Sequence, residues 1–123
     1  CGFGSFYRYN GGDLTGWSHD GYMPRIRDEF DRDPAKMPFD FTEVLGAIAP
    51  RAVFVNAPVA DSFTLQSVTD CIEAAHPVYA LHDAADRLVA VHPGCGHDFP
   101  PNVRDQAWRF VENALEQAGK TGV

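Results

Sequence analysis

The sequence predicts an α/β fold in which parallel strands alternate with helices. Two short apolar runs with β-branched residues, 51–57 and 87–92, are typical of buried strands, and helical patterns precede, separate and follow them. Strands joined by a helix run parallel in one sheet. Two such strands leave faces and edges uncovered, so we expect further strands upstream of Cys1 and an incomplete sheet in this chain.

Local signals place the elements before the first strand. Residues 1–40 are rich in glycine and aromatic residues, which predicts an irregular segment with one short helix over residues 23–30. Asp40 and Glu43 have the spacing of a capping box, in which each side chain bonds a backbone N–H of the first turn. We therefore expect a helix over residues 41–49, ended by the proline that follows.

Two further helices come from apolar periodicity. Pro77 interrupts the longer pattern, so we expect a kink or two short helices there. The last helix begins near Pro101 and runs to about Ala118, and Gly119 is a suitable stop. The stripe of the longer pattern recurs at steps of three and four residues: Leu65, Val68, Ile72, Ala75 and Tyr79.

Composition limits the possible partners. The 123 residues are 45 % hydrophobic and 22 % charged, as in a globular domain. The net charge of −7 argues against nucleic acid or an anionic membrane as partner, and no apolar run approaches the length of a membrane span. Three cysteines without a pattern predict no disulfide framework. Any signal peptide would precede Cys1, so the sequence leaves the compartment open.

Asp61 and His97 are the candidate catalytic residues. Each follows the carboxyl end of a predicted parallel strand, where ligands bind in such sheets. An imidazole that acts as a base needs an acceptor on Nδ1, and a carboxylate on the neighbouring strand end supplies one. The glycines at positions 94 and 96 are expected to let the loop turn sharply. As an alternative, Asp61 simply caps the following helix.

A nucleophile is harder to find. Ser18 in Gly16-Trp-Ser-His-Asp20 precedes the acid and the base in the chain, but no buried strand leads into it and Asp stands where the elbow motif needs glycine. We interpret Ser18 as a decoy and expect the nucleophile upstream. His92, Cys95 and His97 lack the second pair of ligands that a structural zinc site needs, so we predict no metal.

Aromatic side chains are candidates for a substrate pocket, because such residues dominate small-molecule sites. Packing in a core explains aromatic residues in the first segment equally well. The candidates are Trp17, Tyr22, Phe63 and Phe99.

Three motifs resemble α/β-hydrolases of the dienelactone hydrolase and acetyl-xylan esterase type: Ile48-Ala-Pro-Arg51, Val53-Phe-Val-Asn-Ala-Pro-Val-Ala-Asp-Ser62 and Gly94-Cys-Gly-His-Asp-Phe-Pro100. The resemblance implies that residues 1–123 are the C-terminal portion of one hydrolase domain. Residues 1–40 then follow the sixth strand, of which Cys1-Gly-Phe is the end, and residues 41–123 hold strands seven and eight. It also implies that Asp61 is the triad acid and His97 the triad base.

The expected function is hydrolysis of a small-molecule or carbohydrate ester through an acyl-enzyme, with no cofactor. The oxyanion hole and the nucleophile would lie in the missing N-terminal half of the same domain, so this chain alone is expected to be inactive. Alternatives are a fragment of a prolyl-oligopeptidase-like serine peptidase and a non-catalytic protein that uses the hydrolase fold for binding. A small independent domain is a further possibility.

Overall fold

The computed structural model describes residues 2–120. Short 3₁₀ helices at Tyr9–Gly12, Thr15–Trp17, Pro34–Lys36 and Ala85–Arg87 supplement the main elements. Helices and strands follow the order that the sequence predicts. The helices are α1 (Pro24–Asp28), α2 (Phe41–Ile48), α3 (Leu65–Leu81) and α4 (Pro101–Lys120), and the strands are β1 (Val53–Asn56) and β2 (Leu88–Val91).

The two strands form a small parallel sheet. Val53 lies opposite Leu88, and Asn56 lies opposite Val91. Helix α3 provides the crossover between the strands, as parallel pairing requires. This arrangement of helices around a two-stranded parallel sheet is compatible with part of an α/β fold.

Helix α2 begins with the predicted capping box. The Asp40 side chain accepts hydrogen bonds at the helix start, and the Glu43 carboxylate accepts one from the backbone N–H of Asp40 at 2.8 Å. Helix α2 then packs against α3. The main core lies between these helices and the sheet, and its buried members include Leu45, Val55 and Tyr79.

Helix α3 is continuous through Pro77, so of the two expected forms the division into two short helices is wrong, and a kink at Pro77 stays a prediction. Proline removes one backbone donor, which leaves the carbonyl of Glu73 without its helical partner. Both Pro77 and Glu73 lie on the exposed side of the helix. The buried stripe continues on both sides of the proline through Ala75 and Tyr79, so packing holds the helix together.

The first segment is less irregular than expected, because three 3₁₀ helices and α1 occupy much of it. Its own core consists of Phe6, Leu14, Trp17 and Ile26. The Asp40 carboxylate joins this segment to α2 by accepting hydrogen bonds from Ser5 and Phe6. The strand end expected at Cys1–Phe3 falls partly outside the described residues, and Gly2 and Phe3 are not in a strand.

Helix α4 packs on β1 through Phe110, whose ring centroid lies 5.6 Å from that of Phe54. The helix reaches at least Lys120, so Gly119 does not end it as expected. A glycine inside a helix lowers the stability of that helix by only about 1 kcal/mol relative to alanine, so α4 can continue through Gly119. Within residues 2–120, every helix is too short or too polar to be a candidate membrane span.

Candidate active site

Asp61 lies in the loop between β1 and α3. The N-cap of α3 is Thr64, whose side chain accepts from the backbone N–H of Ser67, so Asp61 does not cap this helix. Its carboxylate accepts a hydrogen bond from the Ser62 hydroxyl at 3.1 Å and one from the backbone of Phe63 at 3.4 Å. The Asp61 side chain has no exposed surface. The loop therefore presents a buried, oriented carboxylate.

His97 meets this carboxylate from the loop after β2. Its Nδ1 lies 3.0 Å from Asp61 Oδ1 and 3.2 Å from Oδ2. The imidazole is 73 % exposed. Because one ring nitrogen faces the acid, the other ring nitrogen, Nε2, is left to exchange protons, which is the arrangement of an acid and base pair in a triad.

Backbone hydrogen bonds bring the two loops together. The parallel ladder continues past the strands, where Val59 N–H donates to the Pro93 carbonyl at 3.0 Å and Ala60 N–H donates to the Cys95 carbonyl at 3.1 Å. The His92 ring adds a bond from Nδ1 to the Ala57 carbonyl at 3.0 Å. The separation of 36 residues between acid and base is thus bridged by neighbouring strand ends.

Gly94 and Gly96 are not required for this loop geometry. Neither has a positive φ. A Cβ at Gly94 would meet nothing within 4 Å, and one at Gly96 would lie 3.8 Å from the Ala60 carbonyl oxygen, an ordinary contact. The chain does bend over residues 94–97 as expected, but neither position requires glycine for that bend.

The electrostatics favour an ionised acid. Burial acts to raise the pKa of the Asp61 carboxyl. Hydrogen bonds from His97 and Ser62 act in the opposite direction, and the pKa of the carboxyl lies below its ordinary value. A carboxylate that stays charged at neutral pH can orient the imidazole and stabilise the imidazolium that forms when His97 accepts a proton.

A cleft of about 530 Å³ opens beside the imidazole. Phe99, which is 42 % exposed, lies in its wall and is the one predicted pocket residue that the described lining places with His97. Three lining residues were not predicted as site residues: Gly2, Asn56 and Asp98. Asn56 is the last residue of β1, and a polar residue ending an otherwise apolar strand is the signal that could have identified it.

The other three aromatic candidates lie elsewhere. Trp17 is only 4 % exposed and stacks on Phe41 with ring centroids 5.4 Å apart. Phe63 is half-buried and packs edge-on against Trp17. Tyr22 is exposed and pairs with His19 in an isolated β-bridge. Trp17 is a core residue, which is the alternative that the sequence left open for the first segment, and Phe63 packs against that core.

The hydroxyl groups of the four serines are all engaged with partners other than the His97 ring. Ser18 is fully buried, donates to the Met23 carbonyl and accepts from the backbone of Arg27, so it holds a loop. The other three donate to the Asp40 carboxylate, the Asp61 carboxylate and the Ser5 carbonyl: Ser5, Ser62 and Ser67 respectively. Among the residues that the structure describes, no serine is placed as a nucleophile for His97.

No cluster of three or more metal-binding side chains occurs within residues 2–120. The two cysteines in this part of the chain, Cys71 and Cys95, are not paired with each other.

One comparison with known proteins gave a match. A family model described as glucuronyl esterase from fungi matches residues 15–82, which is more than half of the chain. The matched region contains Asp61 and ends before His97. Searches of curated proteins and of solved structures gave no match.

Proposed function

The chain belongs to the glucuronyl esterase family of fungi, a family of serine carboxylic ester hydrolases, and on this premise we propose that Asp61 and His97 are its catalytic acid and base. The observation that carries the proposal is the hydrogen bond of 3.0 Å between His97 Nδ1 and the buried Asp61 carboxylate. A buried, ionised acid behind an exposed imidazole is the arrangement that general-base catalysis needs.

The proposed reaction proceeds through an acyl-enzyme. His97 Nε2 takes the proton from a serine hydroxyl while the serine oxygen bonds to the ester carbonyl carbon, and the same proton then passes to the departing alcohol. In the second half, Nε2 takes a proton from water as the water oxygen bonds to the acyl carbon. The bond between that carbon and the serine oxygen then breaks, the acid leaves, and Nε2 returns the proton to the serine oxygen. In every step, the Asp61 carboxylate accepts the hydrogen bond from Nδ1–H, so that proton stays on Nδ1 and only Nε2 exchanges protons.

The nucleophile and the oxyanion hole belong to an upstream part of the same domain in this proposal. The hydroxyl groups of the four serines present all have partners other than the His97 ring, and the Ser62 hydroxyl donates to the triad acid itself, which supports an external nucleophile. A Gly-x-Ser-x-Gly elbow is the motif that would present it. In this proposal the serine hydroxyl would approach His97 Nε2 from the exposed side of the ring.

The proposed substrate is an ester of a carbohydrate acid, in the sense of the family's description as glucuronyl esterase. The cleft beside His97 is large enough for a sugar residue, and its lining includes the polar residue Asp98 and the ring of Phe99. Sugars are bound by such combinations because hydroxyl groups need polar partners while the ring C–H faces pack on apolar surfaces. The acetyl-xylan and dienelactone alternatives rest on the sequence resemblance alone.

The test uses the reading frame extended upstream until it includes a serine elbow. The extended protein is assayed on a benzyl ester of glucuronic acid and on p-nitrophenyl acetate. We expect His97→Ala and Asp61→Asn to lower kcat by factors on the order of 10³–10⁴, the scale of triad losses. Two substitutions of the same types at exposed positions, His82→Ala and Asp86→Asn, serve as matched controls and should leave kcat unchanged.

Each outcome has a separate meaning. If the two site variants turn over ester as fast as their controls, Asp61 and His97 are structural and the proposal fails. Absence of any turnover, together with binding of a glucuronate ester by the unmodified protein, would favour the non-catalytic binding alternative. Cleavage of peptides in preference to esters would favour the peptidase alternative.

A further inference from the structure

The residue that holds the His97 loop at its far end is Asn56. We propose that Asn56 is a positioning residue, whose amide fixes the backbone next to His97 so that the imidazole faces Asp61; this rests on the proposed function. The Asn56 Nδ2 donates to the backbone carbonyl of Asp98 at 2.8 Å. The acceptor belongs to the residue directly after His97, and its donor belongs to the last residue of β1.

The backbone ladder alone does not reach this point. It joins the acid loop to the base loop as far as Cys95, through the bond from Ala60 N–H. Within residues 2–120, the Asn56–Asp98 bond is the one hydrogen bond that ties residues 96–98 to β1 or its following loop, apart from the His97–Asp61 pair. The backbone of His97 is therefore held on one side by the ladder and on the other by the Asn56 amide.

The buried amide oxygen of Asn56 supports a specific role for this side chain. Its Oδ1 is buried and has no hydrogen-bond partner among the described residues. A buried acceptor without a partner is unfavourable, and asparagine is disfavoured in strands. Since a carbonyl oxygen can only accept, the bond to Asp98 requires the amide nitrogen and fixes the orientation of the side chain. The Nδ2–H donor is therefore the feature of Asn56 that the loop uses.

The exposure of His97 explains why its backbone needs this bond. Most of the imidazole surface faces solvent, so side-chain packing contributes little to the orientation of the ring. The ring can keep Nδ1 within 3.0 Å of Asp61 only if its Cα stays in place. Release of the Asp98 carbonyl frees the backbone at the next peptide, and the imidazole then samples orientations away from the acid.

The tautomer of His97 reports this directly. A neutral imidazole carries its proton on the nitrogen that has an acceptor, which for His97 is Nδ1. The 123-residue chain is labelled with ¹⁵N-histidine, and the ring nitrogen shifts are recorded at a pH where the ring is neutral. Assignment uses a His97→Gln variant. The test variants are Asn56→Leu, which keeps the volume without the donor, and Asn56→Asp, which replaces the donor with an acceptor.

We expect the ratio of the Nδ1–H to the Nε2–H form to fall about fivefold in both variants, the scale of one net hydrogen bond. Asn113→Leu is the matched control, because Asn113 is exposed on α4 and lies with Ala52 and Arg87 at the opposite end of the strands. Its ratio should equal that of the unmodified chain. Circular dichroism and thermal unfolding accompany each variant.

The outcomes separate the two proposals. An unchanged ratio in both folded Asn56 variants overturns the positioning role and leaves the Asp61–His97 pair intact. If the neutral His97 ring of the unmodified chain shows no preference for the Nδ1–H form, the Asp61–His97 pair does not exist in solution, and the proposed function fails with it. Unfolding of both Asn56 variants also overturns the positioning role, because the amide would then hold the whole fold and not the imidazole in particular.

Discussion

Asp40 is a residue whose removal should lower the free energy of unfolding markedly, because its carboxylate holds two separate segments of the chain. Its carboxylate accepts hydrogen bonds from the backbone N–H of Phe41 at 2.7 Å and of Phe6 at 3.0 Å, and from the Ser5 hydroxyl at 2.6 Å. One of these bonds serves the start of α2, and the other two come from more than thirty residues away. Asp40→Ala therefore removes a helix cap and the polar link between the first segment and α2.

The size of the loss follows from these three bonds. Loss of a helix cap costs about 1 kcal/mol. Each bond to a charged acceptor contributes about 1.5–3 kcal/mol when buried, and we take the lower end because the site is half-buried. The sum is about 4 kcal/mol, of which water entering the vacated site returns about 1 kcal/mol. We expect the free energy of unfolding to fall by about 3 kcal/mol.

Urea unfolding followed by tryptophan fluorescence measures this loss, since Trp17 lies in the core that Phe6 helps to form. The matched control is Asp33→Ala, because the Asp33 side chain caps a 3₁₀ helix through a single local bond from Ala35 N–H at 2.9 Å. Its expected loss is about 0.5–1 kcal/mol. The reasoning is refuted if Asp40→Ala shifts the urea midpoint no further than Asp33→Ala at equal slope.

Two further predictions concern buried polar groups. Tyr79→Phe deletes the hydroxyl that donates to the Arg51 carbonyl at 3.1 Å and should lower the unfolding free energy by about 1–2 kcal/mol, whereas Tyr7→Phe at an exposed ring should leave the urea midpoint unchanged. Burial raises the pKa of the Cys71 thiol to about 11, so at pH 8 a thiol reagent should modify Cys95 in the native protein and reach Cys71 only in urea, as peptide mass mapping will establish. Equal modification of both thiols in the native protein would contradict the protection of Cys71. Because the thiolate forms first in the unfolded chain, the contribution of Cys71 to the free energy of unfolding is complete below pH 9 and declines as the pH rises towards 11.

The elements were predictable where the signal is local. The capping pattern of Asp40 and Glu43 places the start of α2 correctly, because both partners of a capping box lie within four residues. The two strands were found from short apolar runs, since strands covered on both faces carry few polar residues. The meeting of Asp61 and His97 was also foreseeable, because parallel strand ends share one edge of the sheet.

Features that depend on distant contacts were not predictable. Pro77 forbids a helical hydrogen bond locally, yet α3 continues because the residues on both sides of it pack into the core. Trp17 is of a residue type that is common in ligand pockets. Its place in a core depends on contacts with residues such as Phe6 and Ile26, which only the folded structure shows. Asn56 was missed for the same reason, because its partner carbonyl lies forty-two residues away in a loop without secondary structure.

The Asp61 side chain is buried whereas the His97 imidazole is exposed, and this difference in exposure indicates which part of the site must still be covered. A hydrogen bond from an exposed imidazole to a buried carboxylate is weakened on its solvent side, since water competes for the ring and raises the local dielectric constant. Catalysis by such a pair gains most when the ring is withdrawn from water, because charge stabilisation is stronger in a site of low dielectric constant. The segment that brings the proposed serine to Nε2 would also shield the His97 ring from water. The Asp61 side chain already has no exposed surface, so covering the exposed face of His97 is the step that would withdraw the whole acid and base pair from water.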